Sequence, residues 1–271
     1  MVNYVERLRC TLGTRYSPHT IRAFCANGTR FLKAVGQKPA YQKQDLIGYV
    51  DSLVRHGYKV RSISTMLAGV HAMFTANDLR WPLTRQDLHL GLPEDDEGGP
   101  TLSEGEVAAI VRGARRQQGL VATCCCLSTV YGLRPNETAR AITAGLDGKV
   151  LVIQTAKLGK KRTHQIPGGL AGWLTCQPTP CSTSTLHRLF EALMRQYCRE
   201  PRPHEGWHAV RRALVTGLWN RKLEEVSINK WFGWKHRQPI SERYYRPDPA
   251  LLDQEVYGKH PFLRLWGEEK R

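Results

Sequence analysis

The sequence predicts a mainly α-helical protein in two parts, the second carrying one small antiparallel sheet. Three observations support this. Apolar residues recur at helical spacing on both sides of a single seam. The seam, "GLPEDDEGGP" at residues 91–100, is acidic, rich in Gly and Pro, and without periodicity. Runs of strand character are confined to residues 149–167. The expected organisation is a helical domain over 1–90, a linker over 91–100 and a larger domain over 101–271.

In the first part, "YSPHT" supplies Ser17 as a helix N-cap and Pro18 at the first helical position. Ile21, Phe24, Phe31 and Leu32 then lie near one stripe. A second helix carries Leu46, Tyr49, Val50 and Leu53, and a third carries Ile63, Met66, Val70, Met73 and Phe74. After the seam, Ser103 and Glu106 stand at capping-box spacing in "TLSEGEVAAI", and helical character continues through "TCCCLSTVYGL". "KVLVIQTAK" and "KRTHQIP" follow as short strands joined by "LGK", which predicts a hairpin. Helices resume from about residue 185. One of them, "WHAVRRALVTGLW", has Val210, Leu214 and Leu218 on its apolar side, so His208 and Arg211 share another face.

Charge narrows the partner. The chain has 271 residues, 40 of them Lys or Arg against 24 Asp or Glu, for a formal net charge of +16. A surplus of this size points to a polyanion, because each phosphate neutralised releases counterions. Ribosomal or membrane-surface binding fits the charge alone equally well. Residues 1–100 hold thirteen of the basic and nine of the acidic groups, four of the latter being the run Glu94–Glu97, so most of the surplus falls in the second part. That acidic run is expected to be a solvated linker rather than a metal site. No apolar run approaches the roughly 18 residues of a membrane span, and "MVNYVERLRC" lacks a signal-peptide core, so a soluble, intracellular protein is expected. Cys124, Cys125 and Cys126 read as small buried residues. Cys176 and Cys181 near His187 give the only hint of a metal site, without a second ligand pair, and no metal or cofactor is expected.

Several stretches carry groups that suit a phosphodiester. "YGLRPNETARA" places Arg134 after a Gly at a helix start, with Glu137 three residues on. "TAKLGKKRTHQIP" places Lys157 where a strand enters the hairpin. His208 and Arg211 come next, then Trp234 directly after Gly233, then Tyr244 and Tyr245 in "SERYYRPD". Taken singly, each is accounted for as surface charge or packing. Their order changes the reading.

Together they resemble the tyrosine recombinase (phage integrase) family over nearly the whole chain. The matching motifs are G-L-R-x-x-E at 132–137, T-x-K-x-G at 155–159, H-x-x-R at 208–211, Gly233-Trp234 and the terminal R-Y-Y-R. "SPHTIRAFCANGTRFLKAVG" resembles the opening of that family's helical core-binding (SAM-like) domain, and "TLSEGEVAAIV" the start of its catalytic domain. The resemblance implies strand cleavage and rejoining through a 3′-phosphotyrosyl link, without ATP or metal. Arg134 and Arg211 would clamp the non-bridging oxygens, and His208 would handle a proton. Lys157 would protonate the leaving 5′-oxygen, Trp234 would hydrogen-bond the phosphate, and Glu137 would orient Arg134. Tyr244 is the expected nucleophile, from its distance to Trp234 and the Tyr-x-Arg ending at Arg246.

Three features depart from the commonest family pattern. Trp234 replaces the usual His, with His236 as an alternative. The interval from Arg134 to Lys157 is short, which leaves Lys160 and Lys161 as alternative general acids. Two tyrosines adjoin, so Tyr245 competes with Tyr244. The resemblance further implies double-stranded DNA as partner and a tetramer on DNA, with "ALLDQEVYGKHPFLRLW" docking on a neighbour through Leu252, Val256 and Tyr257. Packing of that segment on its own domain is the alternative. Two other functions remain open at this level: a type IB topoisomerase-like relaxing enzyme and a catalytically silent DNA-binding protein.

Overall fold

The computed structural model describes residues 3–13, 15–84, 87, 99–144, 146–147, 149–155, 161–174, 181–234 and 248–267. The chain divides into two compact units, Met1–Glu97 and Gly98–Arg271. Among the described residues, no helix is long and apolar enough to cross a membrane.

Among its described residues the first unit has four helices: α1 (Tyr4–Leu12), α2 (Pro18–Val35), α3 (Lys43–Arg55) and α4 (Val60–Ala76). Ser17 caps α2 as expected, its hydroxyl accepting from the Thr20 N–H, with Pro18 in the first turn. Helix α1 was not anticipated. Its own signal is Asn3, whose side chain accepts from the Val5 and Glu6 N–H groups, and it buries Leu8 and Leu12. α2 and α4 approach closely because Gly69 has no side chain: a Cβ there would stand 2.8 Å from Asn27 Cβ. Phe31 is fully buried between the rings of Tyr41, Tyr49 and Phe74, with Leu46, Ile63, Val70 and Met73 around them.

The second unit begins with α5 (Glu104–Gln117), where Ser103 and Glu106 form both bonds of the capping box. α6 (Gly119–Val130) buries Cys124, Cys125 and Cys126 completely, and burial pushes the Cys124 thiol up to about 12. After α7 (Pro135–Ala144) come three antiparallel strands in the order β1 (Leu146–Asp147), β2 (Val150–Gln154) and β3 (Lys161–Gln165). The expected hairpin is β2 and β3; β1 is additional, pairing Leu146 with Leu151. Register sets Leu151 opposite His164 and Ile153 opposite Arg162, and all four side chains are buried.

The helical remainder is α8 (Gly168–Ala171), α9 (Thr183–Tyr197), α10 (Trp207–Asn220), α11 (Glu225–Phe232), α12 (Pro249–Gly258) and a 3-10 turn (Leu263–Trp266). The C-terminal segment packs within its own unit, the alternative to docking that the sequence left open. Val256, Phe262 and Trp266 are buried, the Trp266 indole donates to Thr129 Oγ1 at 3.0 Å, and Asp253 of α12 accepts from the Gln165 N–H of β3 at 2.7 Å. Phe262 and Trp266 bury large apolar area in the existing core, and Trp266 keeps a partner for its indole N–H.

Candidate active site

Each functional side chain is placed by a local feature of the chain. Between α6 and α7 the backbone turns at Gly132 with φ +59°, and a Cβ there would stand 2.4 Å from the Phe232 ring. Only glycine satisfies both conditions. The turn delivers Arg134 to the start of α7, where its carbonyl accepts from the Glu137 and Thr138 N–H groups at 2.8 Å each.

Glu137 then holds Arg134 twice. Oε2 accepts from the Arg134 backbone N–H at 2.9 Å, and Oε1 accepts from Nη1 of its side chain at 2.9 Å. The carboxylate is buried, whereas the Arg134 side chain stays 30% exposed. Buried charge is tolerated only when paired, and Glu137 meets this by facing a second guanidinium as well: Arg211 Nη1 lies 4.0 Å from Oε2.

Arg211 arrives from α10, a helix anchored by buried Trp207, whose indole donates to the Leu186 carbonyl at 2.7 Å. Val210, Leu214 and Leu218 are fully buried, as their spacing predicts. Arg211 Nη1 donates to the Gly132 carbonyl, while Nη2 has no hydrogen-bond partner among the described residues. Burial, and after it the neighbouring Arg134, pulls Arg211 down to about 9, which leaves it protonated at neutral pH. His208 lies one turn before it, with an exposed edge. Partial burial, then Arg211 and Arg134, holds its pKa below the ordinary histidine value. The neutral imidazole is therefore favoured, the form able to accept a proton.

Trp234 follows Gly233, which ends α11 in the left-handed conformation at φ +64°. Its ring stacks on Phe232 with centroids 4.9 Å apart, and the Arg211 guanidinium lies over both rings, 4.5 Å from Phe232 and 5.4 Å from Trp234. The expected task of Trp234 was a hydrogen bond from its indole. The geometry adds a second: it is one of two aromatic faces that hold Arg211 flat. Arg134, His208, Arg211 and Trp234 line one cavity of about 330 Å³, together with Arg212 and Thr216 from the same face of α10. Arg212 Nε also donates to the Pro100 carbonyl at 2.8 Å.

The other expected residues divide in two groups. Lys161 opens β3 and faces solvent. Lys157, Lys160, His236, Tyr244, Tyr245 and Arg246 lie outside the described residues, as does Cys176. Among the described residues, no group of three His, Cys, Asp or Glu side chains could hold a metal ion. Sequence reasoning missed Arg162, buried on β3 and donating to the Trp231 carbonyl through Nη1, and it missed Phe232 beneath Arg211. A signal for Arg162 existed: alternation places it on the same face of β3 as His164 and in phase with Ile166 just beyond the strand, pointing inward.

No protein-family model and no curated protein matches this sequence. Solved structures do. A lambda integrase dimer bound to a COC' core site superposes with TM-score 0.62 at 14% identity, covering 90% of this chain and 94% of that one. The Tn1549 transposon integrase in complex with transposon right end DNA gives 0.60 at 13% identity, covering 94% and 98%. The XerH site-specific recombinase bound to difH substrate, in a pre-cleavage complex, gives 0.60 at 12% identity, covering 89% and 81%. The chain therefore has the fold of the tyrosine recombinases and integrases.

Proposed function

We propose that this chain is a site-specific DNA recombinase or integrase that cleaves and rejoins strands through a phosphotyrosyl ester. The observation that carries the reading is one cavity bounded by two guanidiniums that share a buried carboxylate, with a histidine and a tryptophan beside them. Arg134 and Arg211 suit the non-bridging oxygens of a pentacoordinate phosphorane, whose charge exceeds that of the ground state. Arg211 Nη2, buried and unpartnered, is a donor with capacity for such an oxygen.

The Tyr244 hydroxyl attacks phosphorus and the 5′-oxygen leaves, making a 3′-phosphotyrosyl ester. Neutral His208 accepts or relays the tyrosine proton, and Lys157 protonates the departing oxygen. A 5′-hydroxyl of another strand then attacks the ester and releases the tyrosine. The ester conserves the bond energy, so neither step needs ATP or a metal. The net charge of +16 suits a double-stranded DNA partner, and the neighbours of the fold include a lambda integrase tetramer bound to a Holliday junction. A tetramer on DNA inside the cell is the corresponding assembly for this chain.

The test is covalent trapping. On duplexes nicked so that the cleaved fragment diffuses away, the native chain and Tyr245→Phe are expected to form a protein–DNA adduct, whereas Tyr244→Phe forms none. An adduct formed by Tyr244→Phe but not by Tyr245→Phe moves the nucleophile by one residue. An adduct formed by the double variant ends the tyrosine mechanism. Relaxation of supercoiled DNA without exchange between duplexes would favour a type IB topoisomerase-like enzyme instead.

A further inference from the structure

Arg162 is a buried charge to which the mechanism above gives no task. It sits mid-strand in β3, opposite Ile153, with its side chain turned into the unit. Nη1 donates to the Trp231 carbonyl, while Nε and Nη2 have no hydrogen-bond partner among the described residues. Glu137 and Arg134 are the charges that act on it, and Arg211 feels it in turn. Among the described residues, Glu137 is the carboxylate facing this group: Arg134 and Arg211 lie within 4.0 Å of it, and its charge also acts on Arg162.

Burying a cation without a counter-charge is strongly unfavourable, and a core of this volume admits an apolar replacement at no such cost. The arrangement becomes favourable once an anion occupies the cavity in front of Arg134 and Arg211. Arg162 is not among the residues lining that cavity, so it acts from behind. Two routes connect it to the front. One is the field of its charge across a desolvated interior. The other is the turn it braces: it bonds the Trp231 carbonyl, and its Cδ would stand 2.9 Å from a Cβ placed on Gly233. The next residue, Trp234, holds Arg211 beneath its ring.

We propose that Arg162 is a positioning residue of the phosphate site, a third guanidinium that braces the Trp231–Trp234 turn and adds positive potential behind Arg134 and Arg211. This rests on reading the cavity as a phosphodiester site. Because charge on the non-bridging oxygens grows toward the transition state, the added potential should raise the cleavage rate more than the affinity for DNA.

The experiment measures single-turnover adduct formation by Arg162→Met and Arg162→Lys on two duplexes. One has an ordinary scissile phosphate and the other a neutral methylphosphonate there. Arg162→Met is expected to slow cleavage of the phosphate at least about tenfold, with DNA affinity unchanged. Its defect should shrink on the methylphosphonate, where the anionic oxygen is gone. Arg162→Lys, which keeps the charge, should cleave the phosphate faster than Arg162→Met. A purely structural role would slow both substrates equally, would not be rescued by lysine, and would overturn the inference. So would native rates in Arg162→Met. Should Arg162→Met fail to fold, Arg162→Gln removes the charge while keeping a donor for the Trp231 carbonyl, and the same two substrates decide. Absence of any adduct from the native chain removes the functional reading itself, and this inference with it. A native adduct with an indifferent Arg162 removes the inference alone.

Discussion

The two units bury different chemistry. Among the described residues of the first, Asn77 is the only buried amide or charged side chain, and its Nδ2 donates to the Tyr4 and Met73 carbonyls. Its centre is aromatic, and its charges stay at the surface. The second unit buries Glu137, Arg162, His164, Glu205, Arg211, Asp253 and His260. Since an unpaired buried charge costs far more than a well-packed apolar side chain, the second unit gives up stability that the first keeps. The difference also separates kinds of buried charge. Glu205 is paired completely, both oxygens accepting from Arg199 at 2.8 Å and one also from the Arg202 N–H, and its task is architectural. Among the described residues, Arg211, 4.0 Å from Glu137, and Arg162 on β3 retain buried nitrogens without a hydrogen-bond partner. Buried guanidinium nitrogens without partners among the described residues, rather than burial of charge as such, set the candidate site apart.

Substitution should break this contrast most visibly at the arginines. Arg211→Ala and Arg134→Ala should each lower covalent cleavage by roughly 10²–10³-fold or more in an adduct assay. Affinity for duplex should change little, because one phosphate contact among several is lost. Cleavage at the native rate by either variant would show that the shared carboxylate organises structure and not catalysis.

In the first unit the expected loss is stability. Phe31→Ala removes the ring at the centre of the aromatic cluster and should cost about 3–5 kcal/mol in denaturant unfolding. A cost below ~1 kcal/mol would mean that this core recloses around the gap.

Acid should destabilise the second unit through His260. Its Nε2 donates to the Val130 carbonyl and its Nδ1 accepts from the Phe262 N–H, so the neutral ring is the one that fits. Burial draws its pKa down to about 4. The unfolded chain takes up this proton near pH 6.5 and the folded chain only near 4. Stability is therefore complete above 6.5 and falls with pH between those values, by about 3 kcal/mol from this residue. His164, lowered by burial, acts in the same direction. Urea titrations at pH 7 and pH 4.5 should show the loss, and His260→Asn should reduce it.

The smallest effect is expected at a surface ion pair. Arg7 and Asp78 are bonded, but their side chains are 50% and 78% exposed, so Arg7→Gln should change stability by less than about 0.5 kcal/mol. A larger loss would mean that the first unit depends on surface charge more than its apolar interior suggests.

Much was legible because the governing forces are local. The caps at Ser17 and Ser103, the stripe of Val210, Leu214 and Leu218, and the pair of strands around residues 150 and 161 each depend on residues a few positions apart. Helix α1 was missed although Asn3 signals its start, because the segment is short and its buried residues are only Leu8 and Leu12. Among the candidate site residues, order and type were readable, as was the link from Glu137 to Arg134 within one helical turn.

The sequence by itself determined the helical class and the order of candidate site residues along the chain. These follow from periodicity, capping and residue chemistry, which act over a turn or two of backbone. Tertiary structure decided which of many basic side chains lost their water. It set Arg211 against the carboxylate of Glu137, slid Phe232 and Trp234 along its guanidinium, and drew Arg162 off an otherwise ordinary basic strand into the interior. The energy of a charge depends on the dielectric and the partners around it, and those are supplied by segments distant in the chain.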